Sequence, residues 1–150
     1  MSSITDAAIK TAKWATTMTK WRIAFETDGK KLGSHLKPSR RWQIVPFPGP
    51  NGRESAGIVD LLAIRKDHSR SRGVSKRGDF FEIILIQIKG GGAKRPTQAD
   101  IKRLRAVSAR YHAKEVVLAE WKKGSQPVFF VLDEKKSRWN QIADPGVLFR

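Results

Sequence analysis

The chain has no cysteine, so disulfide bonds and thiolate metal sites are excluded. It also has no run near the roughly 20 apolar residues that a membrane-spanning helix needs. Its first residues do not show the charged-then-apolar pattern of a secretory signal. We therefore expect a soluble protein, cytoplasmic or associated with the nucleoid, with no membrane partner. Its 150 residues fit one domain, 1–150, with a core large enough to fold without cross-links.

Acidic residues are scarce relative to basic ones. There are 14 Asp and Glu against 30 Lys and Arg, which gives a formal net charge of +16. The basic residues occur throughout the chain rather than in one tail. Such a surface predicts a polyanionic partner, above all DNA, with an anionic membrane surface as the competing interpretation. Charge alone specifies no chemistry, so the few acidic residues carry more information.

The apolar pattern predicts an α/β fold in the order helix, three strands, helix, two strands, that is, a mixed sheet flanked by helices. The first helix is expected to be capped by Thr5 or Asp6 and to end near Gly29. Apolar residues of this helix recur at i, i+4, i+7 and i+11, and the stripe that they form is expected to pack in the core. Its members are Trp14, Met18, Trp21 and Phe25. The alternative is a platform on which bases stack.

The strands are predicted at 42–45, 57–64, 80–89, 115–121 and 127–132, with a loop at 65–79. Thr97 and Asp100 have the spacing of a capping box and open the second helix. The apolar stripe of that helix is predicted to comprise Ile101, Leu104, Val107 and Tyr111. Residues 139–150 show no decisive pattern.

Three polar residues interrupt the apolar strands. Gln87 and Lys89 share one face because side chains alternate along a strand, and Asp60 lies among apolar neighbours. A buried carboxylate is costly unless it is paired or binds a cation. Consecutive strands usually pair, so Asp60 is expected beside Gln87 and Lys89. Carboxylate and amide oxygens suit Mg²⁺ or Mn²⁺, and Lys89 can stabilise charge on a phosphate or position the attacking water.

Asp60, followed by a hairpin, Gln87-x-Lys89 and a helix, resembles the PD-(D/E)xK nuclease superfamily. The resemblance extends from the first helix to the strand 127–132 and includes the element order. Gln87 replaces the usual acid, as in Mrr-type restriction enzymes and the endonuclease subunit of some transposases, and Val59 replaces the usual proline. The resemblance implies a restriction-endonuclease-like fold, Mg²⁺ or Mn²⁺ as cofactor, and catalysis by Asp60, Gln87 and Lys89.

Many members of that superfamily add a glutamate from the first helix, and Glu26 matches this position as a third metal ligand and catalytic residue. The alternative is a solvated acid at the helix end. Glu54, in or just after the preceding turn cluster, is a rival. Glu82 differs from Gln87 by an odd number of residues, so on a regular strand it faces the other side and is rejected.

The basic segment 65–79 joins two strands of the predicted site and is expected to hold the DNA backbone beside the cut. Its candidate contacts are Arg65, Lys66, Arg70, Arg72, Lys76 and Arg77. The alternative is a solvated, mobile loop. Lys94, Arg95 and Gln98, just before and at the start of the second helix, are further candidates for contacting DNA. Gln98 is otherwise an exposed residue of the first turn.

The sequence therefore predicts a metal-dependent endodeoxyribonuclease. Asp60 favours an enzyme over a simple binder, because a carboxylate facing a phosphate adds nothing to binding. The alternatives are a non-catalytic nucleic-acid-binding module that retains the fold and an assembly protein that contacts nucleic acid or an acidic partner. No separate sequence-reading domain is evident. Recognition would then depend on DNA structure, on a homodimer or on a targeting partner protein.

Overall fold

The computed structural model describes residues 14–23, 42–47, 57–69, 71–90, 94–133 and 135–149. Helix α1 covers residues 14–23 and helix α2 covers Gln98–Tyr111. The strands are β1 (Gln43–Pro46), β2 (Leu61–Asp67), β3 (Phe80–Gly90), β4 (Glu115–Trp121), β5 (Val128–Asp133) and β6 (Arg138–Ile142). A 3₁₀ helix follows at Pro145–Val147. Among these residues, no helix combines the length and apolar character needed to cross a membrane.

The strands form one sheet in chain order, β1-β2-β3-β4-β5-β6. β3 and β4 are parallel, and every other neighbouring pair is antiparallel. Parallel neighbours require a crossover connection, which α2 supplies. The predicted mixed α/β class is confirmed, and helix, three strands, helix and two strands follow one another in the predicted order. β6 is an addition, formed within the segment whose pattern was not decisive.

One face of the sheet is covered by α1 and by the C-terminal segment. Ile84, Ile86 and Ile88 of β3 point to this face, where they form a buried cluster with Ala15 and Ile23 of α1. Leu148 and Phe149 complete the cluster from the C-terminal side. α1 and the C-terminal segment bury this face of β3, which explains why Ile84, Ile86 and Ile88 are apolar.

The other face is covered by α2. Leu85 of β3 lies in a second buried cluster with Ile101 and Leu104 of α2. β3 is thus buried on both faces, which explains why its sequence is a nearly continuous apolar run. Gln87 and Lys89 belong to this second face by alternation, so they lie on the side of the sheet where α2 packs.

The expected core stripe of α1 is wrong where the structure describes it. Trp14 and Trp21 are 53% and 61% exposed, whereas Ala15, Thr19 and Ile23 are buried. The Thr19 hydroxyl donates to the Ala15 carbonyl at 2.7 Å, so its polar group is satisfied within the helix. Ala15 and Ile23 belong to the buried cluster, so the face of α1 that carries them packs on the sheet and the face with Trp14 and Trp21 does not. Thr5, Asp6, Phe25 and Gly29 lie outside the described residues.

The capping box of α2 is confirmed. Thr97 Oγ1 accepts a hydrogen bond from Asp100 N at 3.2 Å, and Asp100 Oδ2 accepts one from Thr97 N at 3.0 Å. The predicted stripe holds at its beginning but not at Tyr111, which is 55% exposed, while Ser108 is buried instead. Tyr111 is the last residue of the helix, and the chain leaves the helical path at His112, which adopts the left-handed conformation.

The second strand is shifted along the chain relative to the predicted range 57–64, so Asp60 directly precedes the strand instead of lying inside it. β2 covers Leu61–Asp67, so Arg65 and Lys66 belong to a strand rather than a loop. Arg65 lies opposite Glu82 in the register with β3, and their side chains form an ion pair at 3.1 Å. This cross-strand pair, together with burial of Asp67, explains why two charged residues can continue the ladder.

Candidate functional site

The predicted polar residues meet at one edge of the sheet, where β3 and β4 end and α2 begins. This is the carboxyl end of a parallel strand pair, the edge at which α/β folds generally bind ligands. Lys89 near the end of β3 is the register partner of Glu120 near the end of β4. The N-terminus of α2 lies on the same side, since its Asp100 is within electrostatic range of Lys89.

Asp60 is held against β3 by two hydrogen bonds. Its backbone N donates to the Ile86 carbonyl at 3.0 Å, and its Oδ2 accepts from Ile88 N at 2.7 Å. Because Leu61 is also the register partner of Ile86, the ladder is locally irregular, as in a β-bulge. The carboxylate thereby takes a backbone donor that would otherwise continue the ladder. The Asp60 carboxylate therefore lies beside the backbone of Ile88, the residue between Gln87 and Lys89.

Gln87 is buried, with only 5% of its surface exposed. Its Oε1 has no hydrogen-bond partner among the residues that the structure describes. An unsatisfied buried acceptor of this kind costs about 1–3 kcal/mol, so its retention needs an explanation. A carbonyl oxygen beside a carboxylate is a good ligand for a hard cation. The donor set of Gln87 and Asp60 therefore fits Mg²⁺ or Mn²⁺.

Lys89 is half-buried and forms no ion pair with any residue inside the described ranges. Its positive charge nevertheless acts on Asp100, whose pKa is lowered below the ordinary value. The largest cause of that lower pKa is the hydrogen bond from the Thr97 backbone N–H, and Lys89 adds a smaller electrostatic contribution. The ammonium is therefore available to an anionic ligand at this edge of the sheet.

Glu120 is an acidic residue of this edge that sequence reasoning missed. Its carboxylate accepts two hydrogen bonds from Arg95, from Nη2 at 3.0 Å and from Nε at 3.4 Å. The Arg95 guanidinium also lies over the Phe130 ring, 4.4 Å from its centroid. Only the parallel register of β3 and β4 brings Glu120 beside Lys89. The one signal in the sequence is an acid near the end of an otherwise apolar strand.

The third predicted metal ligand, Glu26, lies outside the described residues, as do the rival Glu54 and the basic residue Arg70. Within the described part of the chain, no group of three His, Asp or Glu side chains is arranged to hold a metal ion. Of the predicted ligands, Asp60 and Gln87 are described, and the Asp60 carboxylate is bonded to the backbone N of Ile88, the residue next to Gln87.

Glu82 lies far from this edge. It forms ion pairs with Arg65 at 3.1 Å and with Lys114 at 3.4 Å. The register of β2 with β3 is regular from Phe80 to Ile86, so no bulge shifts Glu82 onto the face of Gln87. The parity argument that rejected Glu82 is confirmed.

The basic loop, residues 68–79, does not lie beside the site, and that expectation is wrong. The loop follows the last register pair, Asp67 with Phe80, whereas the first pair, Leu61 with Ile86, adjoins Asp60. Phe80 and Lys89 are nine residues apart on one strand, a separation of roughly 30 Å. In an antiparallel hairpin, the connecting loop and the open end necessarily lie at opposite ends.

Parts of the basic loop are also well organised. Arg72 and Ser75 exchange two backbone hydrogen bonds of 2.9 Å around a two-residue turn. Gly73, with φ of +59°, occupies a conformation in that turn that favours glycine. Arg72, Lys76 and Arg77 are exposed. Within the described residues, the loop therefore contains a turn of defined geometry, and its basic side chains face solvent.

Arg65 is a poor candidate for binding DNA. Its side chain is only 14% exposed, is paired with Glu82 and lies over the Trp42 ring at 4.1 Å from the centroid. Lys66 is exposed, as are Lys94 and Gln98 near the start of α2. The Gln98 side-chain amide donates to the Ser137 carbonyl at 3.4 Å. Arg95 lies at the candidate site through its pair with Glu120, the Gln98 amide is directed to the β5–β6 turn, and Lys66 lies toward the loop.

Comparisons with protein-family models, with curated proteins and with solved structures found no match to this chain. The chemistry of the site must therefore be inferred from the side chains that β2, β3, β4 and the start of α2 bring together.

Proposed function

We propose that the protein is a metal-dependent endodeoxyribonuclease. The observation that carries the proposal is the hydrogen bond from Ile88 N to the Asp60 carboxylate, because Ile88 is the residue between the buried Gln87, whose Oε1 has no partner within the described residues, and Lys89. A carboxylate, a carbonyl oxygen and an ammonium at the end of a buried strand match the needs of phosphodiester hydrolysis. The formal charge of +16 supplies general attraction to a polyanionic substrate.

Asp60 and Gln87 are the residues that would hold Mg²⁺ or Mn²⁺. Two protein ligands are adequate, because Mg²⁺ usually retains several waters and needs few protein groups. When bound, the cation supplies charge stabilisation to the phosphate oxygens. Glu26 remains a predicted third ligand. The hydrogen bond from Ile88 N limits rotation of the Asp60 side chain, so its carboxylate stays oriented before the cation binds.

Lys89 would act on the substrate rather than on the cation. Its ammonium can stabilise negative charge that develops on the phosphate and can orient the attacking water by donating to it. Its position one strand step from Gln87 keeps it on the same face. α2 begins near Lys89, and the positive end of its dipole adds to the attraction for a phosphate.

The topology gives independent support for the finer fold assignment. We propose that the sheet is restriction-endonuclease-like. β1, β2 and β3 form an antiparallel meander, α2 crosses over, and β4 joins parallel to β3. This is the element order that the PD-(D/E)xK resemblance implies. The residues matching the motif, Asp60 and Gln87-x-Lys89, lie at adjoining ends of the two central strands of that arrangement.

The proposal is tested by cleavage assays on supercoiled, linear, branched and single-stranded DNA, with Mg²⁺, with Mn²⁺ and with chelator. Asp60→Asn and Lys89→Ala are expected to lower the cleavage rate by about 10²- to 10⁴-fold, a range typical for removal of such groups. Glu82→Gln is the matched control, because it neutralises a carboxylate on the same sheet but at the opposite end. Circular dichroism verifies that each variant is folded.

Cleavage that persists in chelator, or that Asp60→Asn and Lys89→Ala leave unchanged, would contradict the proposed mechanism. The charge of the chain favours one second candidate, a non-catalytic nucleic-acid-binding module. That function predicts no cleavage of any substrate, together with DNA binding that weakens steeply with salt and that Asp60→Asn does not weaken.

A further inference from the structure

Arg95 and Glu120 form an ion pair at the edge of the candidate site. The pair is bidentate from the arginine side, with Nη2 and Nε both directed to the carboxylate. The Arg95 side chain is 54% exposed and that of Glu120 is 24% exposed. Because the guanidinium remains open to solvent, an external anion can reach it.

Phe130 gives the Arg95 guanidinium a second contact besides Glu120. The Phe130 side chain is buried in β5, and the Arg95 guanidinium lies 4.4 Å from its ring centroid. Stacking of this kind orients arginine without using its hydrogen-bond donors. A phosphate presents oxygens in the same fork geometry as a carboxylate, so it can replace Glu120 on a guanidinium already in position.

Glu120 has a second cation beside it. Lys89 is its register partner on the parallel strand β3, so both side chains project from neighbouring positions of the same face. If a phosphate takes Arg95, the released Glu120 carboxylate is 24% exposed and can be solvated, so Lys89 stays available to the substrate. An exposed ion pair is weak, and its loss corresponds to a change of at most about fivefold in affinity. The exchange is therefore energetically accessible.

We propose that Arg95, stacked on Phe130, is a subsite for one backbone phosphate of the nucleic acid, and that Glu120 is the internal anion that competes for it. The proposal depends on the proposed function only in taking nucleic acid as the ligand. Glu120 then weakens binding of any polyanion that does not displace it. Nucleic acid therefore binds at this end of the sheet only when one of its phosphates displaces Glu120 from Arg95.

Binding of a short DNA duplex, measured by fluorescence anisotropy in chelator over a series of salt concentrations, tests the subsite without catalysis. Glu120→Gln is expected to bind about two- to fivefold more tightly than the wild type. Arg95→Ala is expected to bind more weakly, with a salt slope smaller by about 0.9. The double variant is expected to match Arg95→Ala. Glu82→Gln adds the same unit of charge far from the site and controls for general attraction.

Equal gains from Glu120→Gln and Glu82→Gln would overturn the subsite, because the effect would then be one of net charge. A gain from Glu120→Gln that persists in the Arg95→Ala background would also overturn it. Failure of every variant to bind DNA would refute both the subsite and nucleic acid as the ligand. Cleavage by the wild type with Mg²⁺ or Mn²⁺ separates these outcomes. If the wild type cleaves DNA while Glu120→Gln and Glu82→Gln gain equally in binding, only the subsite is overturned and the proposed function stands.

Discussion

Gln87 places a polar amide where both neighbours along the strand are buried isoleucines. Its unsatisfied Oε1 lowers the stability of the fold, and no hydrogen bond within the described residues compensates for it. Groups with such a cost are retained where binding or catalysis requires them. At this residue, stability and the proposed chemistry are therefore expected to oppose each other.

Gln87→Met is expected to raise the free energy of unfolding by about 1 kcal/mol in the absence of divalent cations, because a side chain of similar shape replaces the unsatisfied acceptor. Urea denaturation followed by circular dichroism measures the change. Gln141→Met on exposed β6 is the control and should change stability by less than about 0.5 kcal/mol. A destabilised Gln87→Met variant would show that the amide oxygen is satisfied in the folded protein.

At the scale of elements, the cap of α2 is expected to be an independent source of stability. Thr97→Ala removes the side-chain acceptor of Asp100 N and is expected to cost about 1 kcal/mol. Chemical denaturation at neutral pH measures this loss. Gln98→Ala, one residue further on and exposed, should cost much less. Equal effects of the two substitutions would contradict the role of the cap.

Asp100 makes the stability of the same cap depend on pH. Its folded pKa is lowered, first by the hydrogen bond from the Thr97 backbone N–H. A lowered carboxyl pKa contributes stability that is complete above the ordinary pKa and is lost as pH falls through the folded value. The destabilisation caused by Asp100→Asn is therefore expected to be present at pH 7 and to shrink as the pH falls through the acidic range, which denaturation across that range measures. A destabilisation by Asp100→Asn that stays the same from neutral to acidic pH would contradict this link between the pKa and stability.

The stability contributed by α1 is expected to come from the helix face that packs on the sheet. Ile23→Ala is expected to cost about 2–5 kcal/mol, because Ile23 is only 1% exposed and packs in the core. Trp21→Ala is expected to cost less than about 1 kcal/mol, because the Trp21 side chain is 61% exposed. Thermal or urea denaturation of the two variants compares them directly. A larger loss for Trp21→Ala would restore the face that the aromatic stripe predicted.

At the scale of the whole molecule, the sheet separates the basic loop from the candidate site by roughly 30 Å. Basic residues at both places can bind one polyanion only if it extends along the sheet. Binding to the loop and chemistry at the site should therefore be separable by mutation.

Replacing Arg72, Lys76 and Arg77 with glutamine is expected to weaken DNA binding and to reduce the salt slope by about 0.9 for each phosphate that the loop no longer neutralises. The cleavage rate at saturating DNA should stay unchanged, because these residues lie far from Asp60 and Lys89. Lys89→Ala serves as the converse control, with the cleavage rate lowered by about 10²- to 10⁴-fold and binding nearly retained. A loop variant that fails to cleave at saturation would place the loop in the chemistry.

The sequence predicted those parts of the molecule that depend on local periodicity. Alternation along residues 80–89 placed Gln87 with Lys89 and excluded Glu82, and the capping box located the start of α2. Local patterns failed where two faces of one helix were both compatible with burial. In α1 the aromatic stripe and the stripe of Ala15, Thr19 and Ile23 both have helical spacing, and only packing on the sheet decided that the second is buried.

The sequence by itself determined the mixed α/β class, the order of the main elements and the pairing of Gln87 with Lys89 on one face, because each depends on residues close together in the chain. Only the tertiary structure decided which distant residues meet. The antiparallel hairpin put the basic loop at the end opposite Asp60, and the parallel register of β3 and β4 put Glu120 beside Lys89. Register and crossover are set by packing of the whole sheet, which no local pattern encodes.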